Sequence, residues 1–119
     1  METWRTAAYL RLSREDGDKA ESDSIASQHH QLEQYLAGHP ELELAGYYTD
    51  DGHTGTNFDR PAFRRMEADI YQGKVNCVLV KDLSRFGREY IETGRYLEQV
   101  FPALGVRFIA VNDHVDSQQ

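Results

Sequence analysis

Apolar and polar positions run along this chain in blocks that change period, and the blocks predict four strands and three helices. Residues 5–12 carry Ala7, Ala8, Tyr9, Leu10 and Leu12 without a breaker, a compact apolar segment that reads as a first strand. The stretch 13–22 is highly polar. Ser22, Asp23 and Ser24 then offer N-cap candidates, and Ile25, Gln28, His29, Leu32 and Leu36 share one helical face before Gly38 and Pro40 stop the helix. Residues 42–49, with Leu44, Tyr47 and Tyr48, read as a second strand, ended by a turn-rich loop over 50–57. Pro61 suits the first turn of a second helix, Phe63, Met66 and Ile70 repeat at helical spacing, and Gly73 suits its end. Residues 75–80 are almost continuously apolar and β-branched, as a strand covered on both faces of a parallel sheet requires. Beyond a polar loop over 82–87, Tyr90, Gly94, Leu97, Phe101 and Leu104 follow a 4-3-4-3 spacing that predicts a third amphipathic helix, kinked or shortened by Pro102. Residues 106–111 form a fourth strand, and 112–119 are a polar tail.

The order βαβαβαβ implies an α/β fold: a mostly parallel central sheet with right-handed crossovers and helices on both faces. Ligands of such sheets bind beyond the carboxyl ends of the strands, where the winding reverses. Ser13 follows the first strand, Asp50 the second and the Arg85/Arg88 segment the third, so three groups distant in sequence are expected to converge on one crevice.

Composition narrows the chemistry. A chain of 119 residues, 39% apolar and 28% charged, suits a single folded domain over 1–119. No apolar run approaches the roughly 20 residues that span a bilayer. The first six residues lack the basic-then-apolar pattern of a secretory signal, so a cytoplasmic location and no membrane partner are expected. Cys77 is the single cysteine and reads as a buried structural thiol, and the five histidines are too dispersed to form a metal site; no metal or cofactor is expected. The net charge of −7 weighs against DNA affinity, yet ten of the thirteen basic residues are Arg, whose planar fork matches phosphate oxygens.

A serine hydroxyl needs a base or an electropositive setting to act as a nucleophile. Arg11 lies two residues before Ser13, on the same side of an extended strand, and Arg14 follows directly. Arg85 and Arg88, spaced i, i+3 where a loop enters a helix, can face one anion. Arginines around a serine suit phosphoryl transfer, where fixed cations meet the charge of the transition state. No G-x-S-x-G elbow, P-loop or G-x-G-x-x-G is present, which argues against serine hydrolases, nucleotide triphosphatases and dinucleotide enzymes.

The same residues carry a family resemblance. Tyr9-Leu10-Arg11-Leu12-Ser13 resembles the Tyr-x-Arg-x-Ser motif of the resolvase and invertase family of serine recombinases, and Asp82-Leu83-Ser84-Arg85-Phe86-Gly87-Arg88 resembles its second signature. Gln28, Asp50, Gly55 and Arg60 match further positions, so the similarity covers nearly the whole chain. By that resemblance Ser13 forms a covalent 5′-phosphoserine link to double-stranded DNA. Arg11, Arg85 and Arg88 stabilise the transition state, Arg60 adds to the phosphate site, Gln28 and Asp50 position their neighbours, and Tyr9 shapes the pocket. Two departures stand out: Ser84 replaces an Asp that many relatives carry, and Asp69 falls where small relatives have a Lys. The 83–88 and 101–109 segments are most similar to large serine recombinases of bacterial mobile elements. In that group DNA-binding domains follow the catalytic domain, and dimers pair into synaptic tetramers. Those domains do not fit in this chain, so the isolated domain is expected to be inactive, with the loops bearing Arg60 and Arg85 ordering only on synapsis. Competing readings are a receiver-like binding module, which Asp50, Asp51 and Lys81 mimic weakly, and a catalytically idle domain that keeps the fold alone.

Overall fold

β1 (Trp4–Arg11) is the axis of a five-stranded sheet, because the chain winds away from it in one direction and returns to its other side. The computed structural model describes residues 3–11, 24–50, 61–83 and 94–117. β1 leads to α1 (Ile25–Ala37), β2 (Leu42–Asp50), α2 (Pro61–Tyr71) and β3 (Cys77–Val80). A π-helical turn (Tyr96–Val100), α3 (Phe101–Leu104), β4 (Arg107–Ala110) and β5 (Val115–Asp116) complete the order. The spatial order is β2-β1-β3-β4-β5, with β1–β4 parallel and β5 antiparallel to β4. The mostly parallel α/β sheet is as the sequence predicts, and its winding reverses between β1 and β3.

Both sheet faces are covered, as the run of apolar residues in β3 demanded. On one side Ala8, Leu10, Cys77, Leu79 and Ile109 pack on Leu32 of α1; on the other, Ala7, Tyr9, Val78, Val80 and Phe108 meet Phe63, Met66 and Ile70 of α2. The second layer is largely aromatic: Tyr9–Phe63, Phe63–Tyr96, Tyr96–Phe101 and Phe101–Phe108 form a chain of ring contacts with centroids 5.4–6.2 Å apart. Local chemistry sets the helix ends. Ser24 caps α1 by accepting the Ser27 N–H at 3.0 Å, Pro61 opens α2, and Gly105 ends α3 at φ 71°, a left-handed conformation that favours glycine. Cys77 is fully buried, and burial pushes its thiol up to about 12.

Two elements differ from expectation. The third helix does not hold its 4-3-4-3 period: Tyr96 and Phe101, five residues apart, carry its buried face, and Leu104 is 41% exposed. Pro102 is the cause, since it donates no N–H and its ring crowds the carbonyl four residues back; the preceding turn widens so that the Phe101 N–H reaches Tyr96 O. The expected polar tail instead contains β5, which extends the order to a fifth strand. It is held by Arg107, which donates to both carboxylate oxygens of Asp116 at 2.9 and 2.6 Å, and by Ser117, whose hydroxyl accepts the Phe108 N–H.

Candidate active site

Three of the buried polar side chains of the described residues, Gln28, Asp50 and Lys81, lie at the carboxyl edge of the sheet, where the winding reverses. Burying them demands partners. Asp50 ends β2 in register with Arg11, the last residue of β1. Its Oδ2 accepts the Tyr9 hydroxyl at 2.8 Å and the Phe63 N–H at 3.0 Å, and its Oδ1 accepts the Ala62 N–H at 2.9 Å. The carboxylate thereby caps α2 from a distant strand, satisfying two of the N–H groups that every helix start leaves without an internal partner, and it locks β1, β2 and α2 together. Helix-dipole attraction adds to the fit. Asp50 fixes the main chain two residues after Arg60.

Gln28 performs a matching task on the other side of β1. β1 outruns β3: the pairing ends at Ala8 with Leu79, so on this side no strand lies beside the main chain of Arg11. The Gln28 carboxamide takes that place, accepting the Arg11 N–H at 3.2 Å and donating to the Arg11 carbonyl at 3.0 Å, with Gln28 itself fully buried on α1. The last residue of β1, two before Ser13, is therefore bracketed by β2 and by a side-chain amide. A primary amide can do this because it offers a donor and an acceptor at peptide-like spacing.

Of the residues singled out in the sequence, the structure thus brings Tyr9, Arg11, Gln28 and Asp50 into one cluster. Ser13, Arg60, Arg85 and Arg88 lie outside the described residues, as do Gly55, Tyr90 and the loops expected to order on synapsis. Asp69 is excluded from the cluster: it sits toward the far end of α2, where it accepts the Tyr48 hydroxyl; burial first, and then that bond, raise the Tyr48 pKa to about 12. Glu67, two residues nearer the helix start, accepts the Tyr96 hydroxyl at 2.6 Å, so α2 is pinned by tyrosines on both flanks. Three donors occupy the Asp50 carboxylate, which disfavours a receiver-like cation or phosphoacceptor role for it.

Two further residues lie at this edge, one named in the sequence only for the receiver-like reading and one not named there at all. Lys81, just past β3, is 7% exposed. Asp113 accepts the Leu83 N–H at 2.7 Å and so reaches the start of the segment that carries Arg85 and Arg88. The available signal was Asn112-Asp113, a residue pair whose side chains commonly accept main-chain N–H groups in turns. Among the described residues no group of three or more His, Cys, Asp or Glu side chains is arranged to hold a metal ion, and no helix is long and apolar enough to cross a membrane.

Comparison with known proteins agrees with this architecture. The family model described as resolvase, N-terminal domain, matches residues 6–119. The N-terminal catalytic domain of TP901-1 integrase superposes with a TM-score of 0.81 at 30% identity, covering 97% of this chain and 82% of that one. A resolvase family site-specific recombinase from Streptococcus pneumoniae gives a TM-score of 0.81 at 31% identity, over 98% of this chain and 78% of that one. A serine recombinase from Sulfolobus solfataricus, at 24% identity and a TM-score of 0.70, shares the fold over 98% of this chain and 74% of its own. No curated protein matches. With Tyr9 and Arg11 of the sequence motif at the reversal of the sheet and the family match spanning nearly the whole sequence, the chain belongs to the resolvase family and is a serine recombinase catalytic domain.

Proposed function

We propose that this domain cleaves and rejoins DNA with the Ser13 hydroxyl as nucleophile. The observation that carries the reading is the cluster of Tyr9, Arg11, Gln28 and Asp50 at the carboxyl edge of the sheet. The segments bearing Ser13, Arg60 and Arg85/Arg88 all leave from or enter at that edge. In the reaction the Ser13 Oγ–phosphorus bond forms, the phosphorus–O3′ bond breaks, and the serine proton ends on the departing 3′ oxygen. One phosphodiester replaces another, so the DNA can be resealed by the reverse step without ATP or a metal. Arg11, Arg85 and Arg88 meet the charge of the transition state and Arg60 extends the phosphate site; fixed guanidiniums do this best when their main chain is already in place. Tyr9, Gln28 and Asp50 are positioning residues.

At family level the substrate is DNA at recombination sites, and the reading extends to excision or integration of a mobile element by dimers that pair into a tetramer. An acidic domain of net charge −7 supplies chemistry, while DNA affinity comes from other segments. The test supplies the domain with DNA-binding segments, in the natural protein or as a fusion, and compares wild type with Ser13→Ala on supercoiled DNA carrying the element's ends. A covalent protein–DNA adduct that disappears in the variant supports the reading. An adduct that persists overturns it, and DNA binding without reaction by either protein favours the idle-domain alternative.

A further inference from the structure

We propose that Asp113, in the turn between β4 and β5, is a positioning residue for Arg85 and Arg88; this rests on the reading of the site given above. The sheet delivers Asp113 to that task. Beyond β4 the ladder with the β3 strand continues into the turn, where the Val111 N–H donates to Val80 O at 3.0 Å and the Asn112 N–H to Lys81 O at 2.8 Å. This register carries Asp113 alongside the chain as it leaves β3, and its Oδ2 accepts the Leu83 N–H at 2.7 Å. Leu83 is the first helical residue after β3. A carboxylate accepting a main-chain N–H makes a charge-assisted bond, here supplied from another element.

The turn that presents Asp113 is itself held on every side. Gln31 of α1 donates to Asn112 Oδ1 at 2.6 Å. His114 adopts φ 56°, a conformation that β-carbon-bearing residues seldom take, and its N–H closes the turn onto Val111 O at 3.2 Å. Beyond it, the paired bonds of Arg107 to Asp116 and of Ser117 to Phe108 anchor β5.

The spacing repeats a device already seen. Gln28 holds the main chain of Arg11, two residues before Ser13; Asp50 holds Ala62, two residues after Arg60; Asp113 holds Leu83, two residues before Arg85. Two residues of chain span at most about 7 Å, so each clamp limits where the neighbouring functional group can lie. Misplacement by about 1 Å of a group that meets the transition state costs up to about 100-fold in rate.

The experiment measures covalent adduct formation on supercoiled site DNA for wild type, Asp113→Ala, Asp113→Asn and Ser13→Ala in the DNA-binding-competent protein, together with DNA affinity, thermal midpoint and amide exchange at Leu83. Asp113→Ala is expected to slow adduct formation about 10-fold and to speed Leu83 exchange, while DNA affinity and the thermal midpoint stay near wild type. Asp113→Asn, which keeps an acceptor oxygen, is expected to recover most of the rate and of the amide protection. Wild-type adduct rates in Asp113→Ala overturn the inference, as does an Asn variant that is as slow as Ala with Leu83 still protected. A loss of rate that merely tracks a loss of folded protein, with no recovery in Asn, overturns it too. If Ser13→Ala still reacts, the reading of the site fails first; if Ser13→Ala is dead and Asp113→Ala is unimpaired, this inference fails alone.

Discussion

Replacing Asp50 by alanine strips three donors of their acceptor at once: the Tyr9 hydroxyl, which is fully buried, and the N–H groups of Ala62 and Phe63 at the start of α2. Leaving a buried hydroxyl unsatisfied costs about 1–3 kcal/mol, and losing a helix cap costs about 0.5–2 kcal/mol. The combined loss, about 2–5 kcal/mol, is a large part of the roughly 5–15 kcal/mol that holds a domain of this size together. At about 4 °C per kcal/mol, the thermal midpoint should fall by roughly 8–20 °C. Tyr9→Phe removes one bond and leaves the cap, so it should cost only about 1–2 kcal/mol. The double variant separates a shared network from two independent defects: in the Asp50→Ala background Tyr9→Phe should cost less than about 0.5 kcal/mol, because the hydroxyl's bond to the carboxylate is already gone. Urea unfolding of the four proteins measures this cycle. An Asp50→Ala protein within about 0.5 kcal/mol of wild type, or a Tyr9→Phe cost that is equal in both backgrounds, refutes the claim that this carboxylate joins β1, β2 and α2.

Gln28→Leu preserves bulk but takes the carboxamide away from the N–H and carbonyl of Arg11, so it should cost about 2–3 kcal/mol in chemical denaturation and slow adduct formation by at least about 10-fold; a stable, fully active variant contradicts the bracket. Cys77 has a folded pKa of about 12 against an ordinary 9.0, so the fold favours its neutral thiol. That contribution is fully present below pH 9 and is lost as the pH rises toward 12, on the order of 4 kcal/mol at its limit by about 1.36 kcal/mol per unit. Stability measured from pH 8 to 11 should therefore fall less steeply in Cys77→Ala than in wild type, and parallel slopes contradict the assignment. Arg107→Met takes the guanidinium away from the little-exposed Asp116 carboxylate and should cost about 3–5 kcal/mol, whereas Arg107→Met with Asp116→Leu should cost clearly less; equal losses contradict a desolvated pair.

The apolar pattern of this sequence was legible because it depends on neighbours in the chain. The run through β3, the Ser24 cap and Pro61 at the start of α2 each report a local preference, and each stands where its residue type suggests. The π-helical turn was not legible in the same way. Leu97 and Leu104 fit a helical period as well as Tyr96 does, and only the demand of Pro102 for a wider turn decides which residues face the core. β5 was hidden because Val115 and Asp116 carry no strand pattern; the ion pair that fixes them joins residues nine apart. The site divides along the same line. Motifs pointed to Tyr9, Arg11, Gln28 and Asp50, yet which atoms they spend on one another is a matter of tertiary placement. Asp50 serves a helix that starts eleven residues later, and Gln28 serves as a strand partner while sitting on a helix. Asp113 carried only the turn signal of Asn112-Asp113, which does not reveal a partner thirty residues away.

The central claim is that Ser13 becomes joined to the 5′ end of cut DNA. Trapping the adduct from the DNA-binding-competent protein, digesting it, and locating the nucleotide-bearing residue by mass spectrometry tests this most directly. The account predicts a phosphodiester on the peptide containing Ser13, with a free 3′-hydroxyl on the opposing end. A nucleotide on a tyrosine, a linkage to the 3′ end, or cut DNA with no linked peptide would contradict it.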